Sequence, residues 1–160
     1  MASTATTDRE IVISRVIDAP PDLVFEAFTD VRHLSRWWGP HGFTTTTRSF
    51  EFRTGGVWDF VMHGPDGTDY QEWITWTDIS APERIAMLHG ESRDDPDAFA
   101  SILTFTADGA ATRIVMRTIF PSKELRDRAV EKYHAIEGGR QTLSNLAAYV
   151  TGLRHTGEPR

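Results

Sequence analysis

Residues 57–76 read VWDFVMHGPDGTDYQEWITW, and this stretch decides the fold. On its first arm Trp58, Phe60 and Met62 occupy alternate positions, the period of a strand with one apolar face. Gly64-Pro65-Asp66-Gly67 then supplies a turn. Proline suits its second position, and Gly67 provides the positive φ that closes a three-residue hairpin with a bulge. That closure pairs Gly64 with Thr68 and sets Met62 opposite Tyr70, Phe60 opposite Glu72 and Trp58 opposite Ile74. A two-residue loop would shift the pairing by one and turn the second arm over.

Working outward, period two continues on both sides. Upstream, Thr44–Thr47 are four β-branched residues that favour an extended chain. Downstream, strands are predicted over Arg84–Gly90, Phe99–Ala107 and Thr112–Phe120. Turns at Asp78–Glu83 and Asp108-Gly109, and an acidic loop over Glu91–Asp97, separate them. The first strand is Glu10–Ile17, with Ile11 and Ile13 on one face. Pro20-Pro21 ends it and opens a short helix carrying Leu23, Val24, Ala27 and Phe28. A second short helix spans Val31–Trp37. After Pro121, Ser122 caps a long helix predicted to reach Leu153. Its apolar stripe runs from Leu125, Ala129 and Tyr133 through Ile136 and Leu143 to Leu146 and Val150.

This order predicts an α+β fold: a curved antiparallel sheet of seven strands around a long C-terminal helix, with two short helices between strands one and two. An antiparallel sheet needs its apolar face covered, and only the last helix is long enough to do so. Curvature around one helix leaves room for a pocket. A single domain is expected over residues 9–153, between polar tails at 1–8 and 154–160.

The chain has 160 residues, enough for one real core, and a formal net charge of −6. That charge argues against nucleic acid, whose phosphates call for a basic footprint. The sequence has no cysteine, which excludes disulfides and thiolate metal sites. Neither a signal peptide nor an 18-residue apolar run is present, so no membrane span is expected and a cytoplasmic location follows by default.

Several short motifs occur in a telling order. They are Ala19-Pro20 with Val24-Phe25, Trp37-Trp38-Gly39-Pro40 with Gly42-Phe43, Gly55-Gly56-Val57-Trp58, the turn at Gly64–Gly67, Pro82-Glu83-Arg84-Ile85, and Glu137-Gly138-Gly139-Arg140-Gln141-Thr142-Leu143. In this order the chain resembles the SRPBCC superfamily of helix-grip proteins, which includes START lipid-binding domains and the birch-pollen allergen. Within it, the chain is most similar to the heat-shock-protein-90 ATPase activator homologue-like family. The resemblance runs from about Glu10 to Val150. It implies a ligand-binding scaffold with no shared catalytic motif, although some relatives are cyclases or hydrolases. The eukaryotic activators pair this domain with a second one, for which this chain has no room.

Strand parity and the resemblance together nominate a cavity lining: Trp58, Phe60, Met62, Tyr70, Glu72 and Ile74 from the hairpin, with Trp76, His89 and Tyr133 beyond it. Each aromatic residue could instead fill the core. Glu72 is the sharpest candidate, because a carboxylate among apolar neighbours suits acid–base chemistry or a polar anchor; a mouth position reached by water is the alternative. His89 shares parity with Ile85 and Met87. Neither His63 nor His89 has a second ligand at metal spacing in its own strand, so no metal and no cofactor is expected. His41 belongs near the mouth, and His33 and His134 on helix surfaces. Trp73 should face outward, where an exposed tryptophan suggests a homodimer contact. The function expected is binding of a small, largely apolar molecule of lipid, polyketide or aromatic type. The alternatives are an enzyme using Glu72 or His89 and a protein-interaction module.

Overall fold

A computed structural model describes residues 6–156. Its seven strands are β1 (Glu10–Ile17), β2 (Thr44–Phe50), β3 (Val57–His63), β4 (Asp69–Ser80), β5 (Arg84–Gly90), β6 (Phe99–Asp108) and β7 (Ala111–Ile119). They form one antiparallel sheet in the order β1-β7-β6-β5-β4-β3-β2, so every neighbour is a hairpin partner except the β1–β7 pair. Helices α1 (Pro21–Glu26) and α2 (Val31–Trp37) sit between β1 and β2.

The β3–β4 hairpin has the register that its turn chemistry predicts. Met62 pairs with Tyr70, Phe60 with Glu72 and Trp58 with Ile74. The Gly64 amide donates to the Thr68 carbonyl at 2.7 Å, and Gly67 holds φ at +88°. Asp66 accepts from the Thr68 amide at 3.0 Å, a bond that keeps its carboxyl below the usual carboxylate range. Strand β4 runs on to Ser80, so the expected turn from Asp78 shrinks to the residues between Ser80 and Arg84.

The caps account for the helices. Pro20 is extended and Pro21 opens α1. The Asp30 side chain accepts from the Arg32 amide at 2.8 Å to start α2, and its bonds to Arg32 lower its carboxyl to about 2. Ser122 accepts from the Leu125 amide at 3.1 Å and opens the C-terminal helical segment. That segment is two helices rather than one. α3 (Lys123–Tyr133) ends where His134 adopts φ 54°, and α4 (Ala135–Thr156) continues beyond it. The left-handed residue at the cap lets its amide bond the Ala129 carbonyl and redirects the chain, which helical periodicity does not reveal. The helix thus runs past the predicted end at Leu153, and Thr7–Arg9 form a 3-10 turn across the predicted boundary between the N-terminal tail and the domain. The remainder of both tails, 1–5 and 157–160, lies outside the described residues.

Leu143, Leu146 and Val150 of α4 are buried against the sheet. Gly139 permits the close approach: a Cβ there would lie 2.5 Å from Ile13 Cδ1 and 3.1 Å from Met116 Cε. Sheet and helix enclose a core in which Trp58, Phe60, Phe28 and Trp76 are fully buried. Ring contacts extend it, with Phe28 on Trp37 at 4.8 Å and Phe25 on Phe105 at 5.5 Å.

Candidate functional site

Between the sheet, α3 and the first turns of α4 lies a cavity of about 530 Å³. Its apolar wall comes from inward-facing strand residues, Ile11 and Ile13 of β1, Met87 of β5, Leu103 of β6 and Met116 of β7. Leu125 and Ala129 of α3, with Leu143 of α4, close the helical side. Trp37 at the end of α2, with Trp38, Gly39 and Pro40 of the loop after it, forms a further wall. Two bonds tie this loop to α4: Asn145 Nδ2 donates to the Gly39 carbonyl at 2.9 Å, and the His41 amide to Gln141 Oε1 at 3.1 Å.

Polar groups enter this apolar space at three places. Glu72 and His89 project from neighbouring strands and hydrogen-bond through Oε1 and Nε2. Their side chains keep only about 16% and 15% of their exposure. Trp38 and Phe99 flank the imidazole, with ring centroids at 6.3 and 4.8 Å. Ser101 and Thr118, paired across β6 and β7, place buried hydroxyls 3.3 Å apart in the same wall. Glu91, Asp95 and Asp97 add carboxylates from the loop after β5.

Five of the nine sequence-nominated residues line this cavity: Met62, Tyr70, Glu72, His89 and Tyr133. Tyr70 and Tyr133 retain 37% and 55% exposure, which puts them at its mouth. The other four lie in the core. Trp58, Phe60, Ile74 and Trp76 have no exposure and lie outside the wall. Phe50, Phe52 and Trp38 pack over their aromatic rings, filling the space that parity alone leaves open. Missed were Ile11, Ile13, Ser101 and Thr118, whose inward parity was legible, and the α2 loop, whose position was not.

The remaining histidines lie elsewhere. His63 bonds Thr46 and Asp69, each at 2.7 Å, and is absent from the cavity lining. His41 is exposed one residue beyond the Pro40 wall. His33 bonds the Tyr149 hydroxyl and is half-buried, so it is no free surface group. Trp73 lies on the opposite face of β4 from Glu72 and Ile74, half-buried under the Arg93 guanidinium, 5.1 Å from its ring centre. Among the described residues no three His, Asp or Glu side chains gather to hold a metal. No helix among them is long and apolar enough to cross a membrane.

The family model described as Activator of Hsp90 ATPase homolog 1-like protein matches residues 18–151. This chain belongs to that family. Solved structures share its fold. A protein from Arthrobacter aurescens is 25% identical with a TM-score of 0.83, over 94% of this chain and 90% of that one. A Nitrosomonas europaea protein is 17% identical with a TM-score of 0.82, over 92% and 97%. A protein from Silicibacter pomeroyi that carries the family name is 22% identical with a TM-score of 0.71, over 89% and 97%. No curated protein matches this chain in sequence.

Proposed function

We propose that this protein binds a small, largely apolar molecule of lipid, polyketide or aromatic type between its sheet and C-terminal helices. The observation that carries the reading is the cavity of about 530 Å³, whose walls are apolar side chains with a hydrogen-bonded Glu72–His89 pair among them. That size and that mixture, an apolar lining with a few convergent polar groups, are the usual properties of a small-molecule site. The family is commonly a ligand-binding fold, which agrees with the geometry.

The test is native mass spectrometry of the purified protein followed by a thermal-shift screen of sterols, polyketides, aromatic compounds and fatty alcohols. A ligand that binds only the folded state raises its stability, by about 2.7 kcal/mol at a hundred times Kd. A co-purifying molecule or a stabilising hit is expected. Failure of a broad panel would move the protein-interaction reading ahead.

The Glu72–His89 bond favours one second reading, an enzyme. A carboxylate that orients an imidazole inside a cavity is an arrangement used for general acid–base catalysis. On that reading Glu72→Gln abolishes turnover and leaves ligand affinity largely intact.

A further inference from the structure

We propose that the ligand of this cavity presents a cationic or neutral hydrogen-bond donor to Glu72, and that carboxylate ligands are turned away. The inference rests on the ligand-binding reading above and names the chemical class of that ligand.

The argument begins with the sign of the wall. Glu72, Glu91, Asp95 and Asp97 bring four carboxylates to it, against the guanidinium of Arg128 and the imidazole of His89. Arg128 on α3 and Glu91 and Asp97 on the loop after β5 are all exposed at the rim, where water and salt screen them alike. Glu72 is far less exposed and faces the apolar interior, where charges act over longer range. The protein as a whole carries −6, so the approach to the mouth does not favour anions either.

The second strand of the argument is hydrogen-bond capacity. Glu72 receives one bond, from His89 on Oε1, and Oε2 has no protein partner among the described residues. An acceptor-only group with an unfilled oxygen in an apolar chamber is best matched by a donor. Ser101 and Thr118 are 6% and 8% exposed, and their hydroxyls bond each other, which leaves one proton to donate and lone pairs to accept, so they take either kind of ligand group and the selection falls to Glu72. At the mouth, Asp95 is fixed by accepting from the amides of Glu91 and Asp97 at 2.9 Å each. The carboxylate there is part of the loop's shape. Inside the chamber an amine meets the unfilled Glu72 oxygen, whereas a carboxylate meets like charge there.

Three fluorescent probes with one apolar body separate the outcomes: 1-pyrenemethylamine, 1-pyrenemethanol and 1-pyrenecarboxylic acid, titrated into the intact protein. The amine is expected to bind at least about tenfold more tightly than the acid, with the alcohol between them. Glu72→Gln should narrow the amine–acid gap to about threefold or less. An acid that binds as well as the amine overturns the inference and leaves the cavity reading standing. A gap that survives in Glu72→Gln also overturns it, by removing Glu72 from the recognition. If even the neutral alcohol fails to bind, the cavity reading falls and this one with it. Should the variant not fold, the three affinities of the wild-type protein decide alone.

Discussion

His89 and Glu72 meet diagonally across two strands: the Cα partner of His89 on β4 is Ile74, yet its imidazole bonds the carboxylate two residues along. Diagonal neighbours on one face of an antiparallel pair are within reach of long side chains. Both groups are largely withdrawn from water, so each depends on the other. His89→Phe should lower stability by about 1–3 kcal/mol, because it leaves the Glu72 carboxylate without a partner. Adding Glu72→Met should recover most of that loss, since an apolar pair of similar volume removes the stranded charge. Urea unfolding of the two variants and the wild type measures the coupling.

The second prediction separates two adjacent glycines of α4. Only Gly139 faces the sheet closely enough for a Cβ to meet Ile13 and Met116 inside van der Waals contact; at Gly138 the nearest atom, Pro40 Cγ, is 3.4 Å away. Gly139→Leu should cost about 1–3 kcal/mol by overpacking. Gly138→Ala should be neutral or stabilise by up to about 1 kcal/mol through helix propensity. Thermal unfolding midpoints that fall equally in both variants would contradict the close approach.

Much of this was written in the sequence, and the exceptions have physical causes. The Gly64–Gly67 turn set the β3–β4 register, because a turn type and a period of two leave one consistent pairing. Glu72 and His89 could each be placed inward by parity. Their bond could not, since it depends on how β4 and β5 are offset, and β4 carries an irregularity between Trp76 and Asp78. Trp58 and Trp76 were legible as inward-facing, but parity says nothing of depth. They became core because Phe50 and Phe52, near the β2 edge, fold over them. The break at His134 left no trace in the apolar stripe, which continues on either side of it.

The division between core and mouth makes a third prediction. Trp58 stacks on Phe60 with ring centres 3.7 Å apart, and its Nε1 donates to Thr47 Oγ1 at 3.0 Å. Trp58→Ala should cost about 3–5 kcal/mol. Tyr133→Ala, at the exposed rim, should change stability by less than about 0.5 kcal/mol while weakening ligand binding. Denaturation and probe titration on the two proteins check both halves.

A fourth concerns acid. Arg117 bonds both oxygens of Glu10, and this, with the Thr6 hydroxyl, lowers the Glu10 carboxyl from 4.5 to about 2. A folded-state value below the unfolded one stabilises the protein above pH 4.5, and that contribution is lost as pH falls toward 2. Glu10→Gln should therefore flatten the acid limb of the stability curve and sit closer to wild type at the bottom of that window. An acid limb of unchanged steepness in the variant would remove Glu10 from the account.

The most direct test of the central claim is a fluorescence titration of 1-pyrenemethanol into wild-type protein and Ala129→Phe. Ala129 lines the cavity from α3, so a larger side chain there occupies ligand volume. The prediction is saturable binding to the wild type at one probe per chain, with affinity falling about tenfold or more in the variant while the fold persists. Equal affinity in both proteins would place the probe outside the cavity and contradict the account.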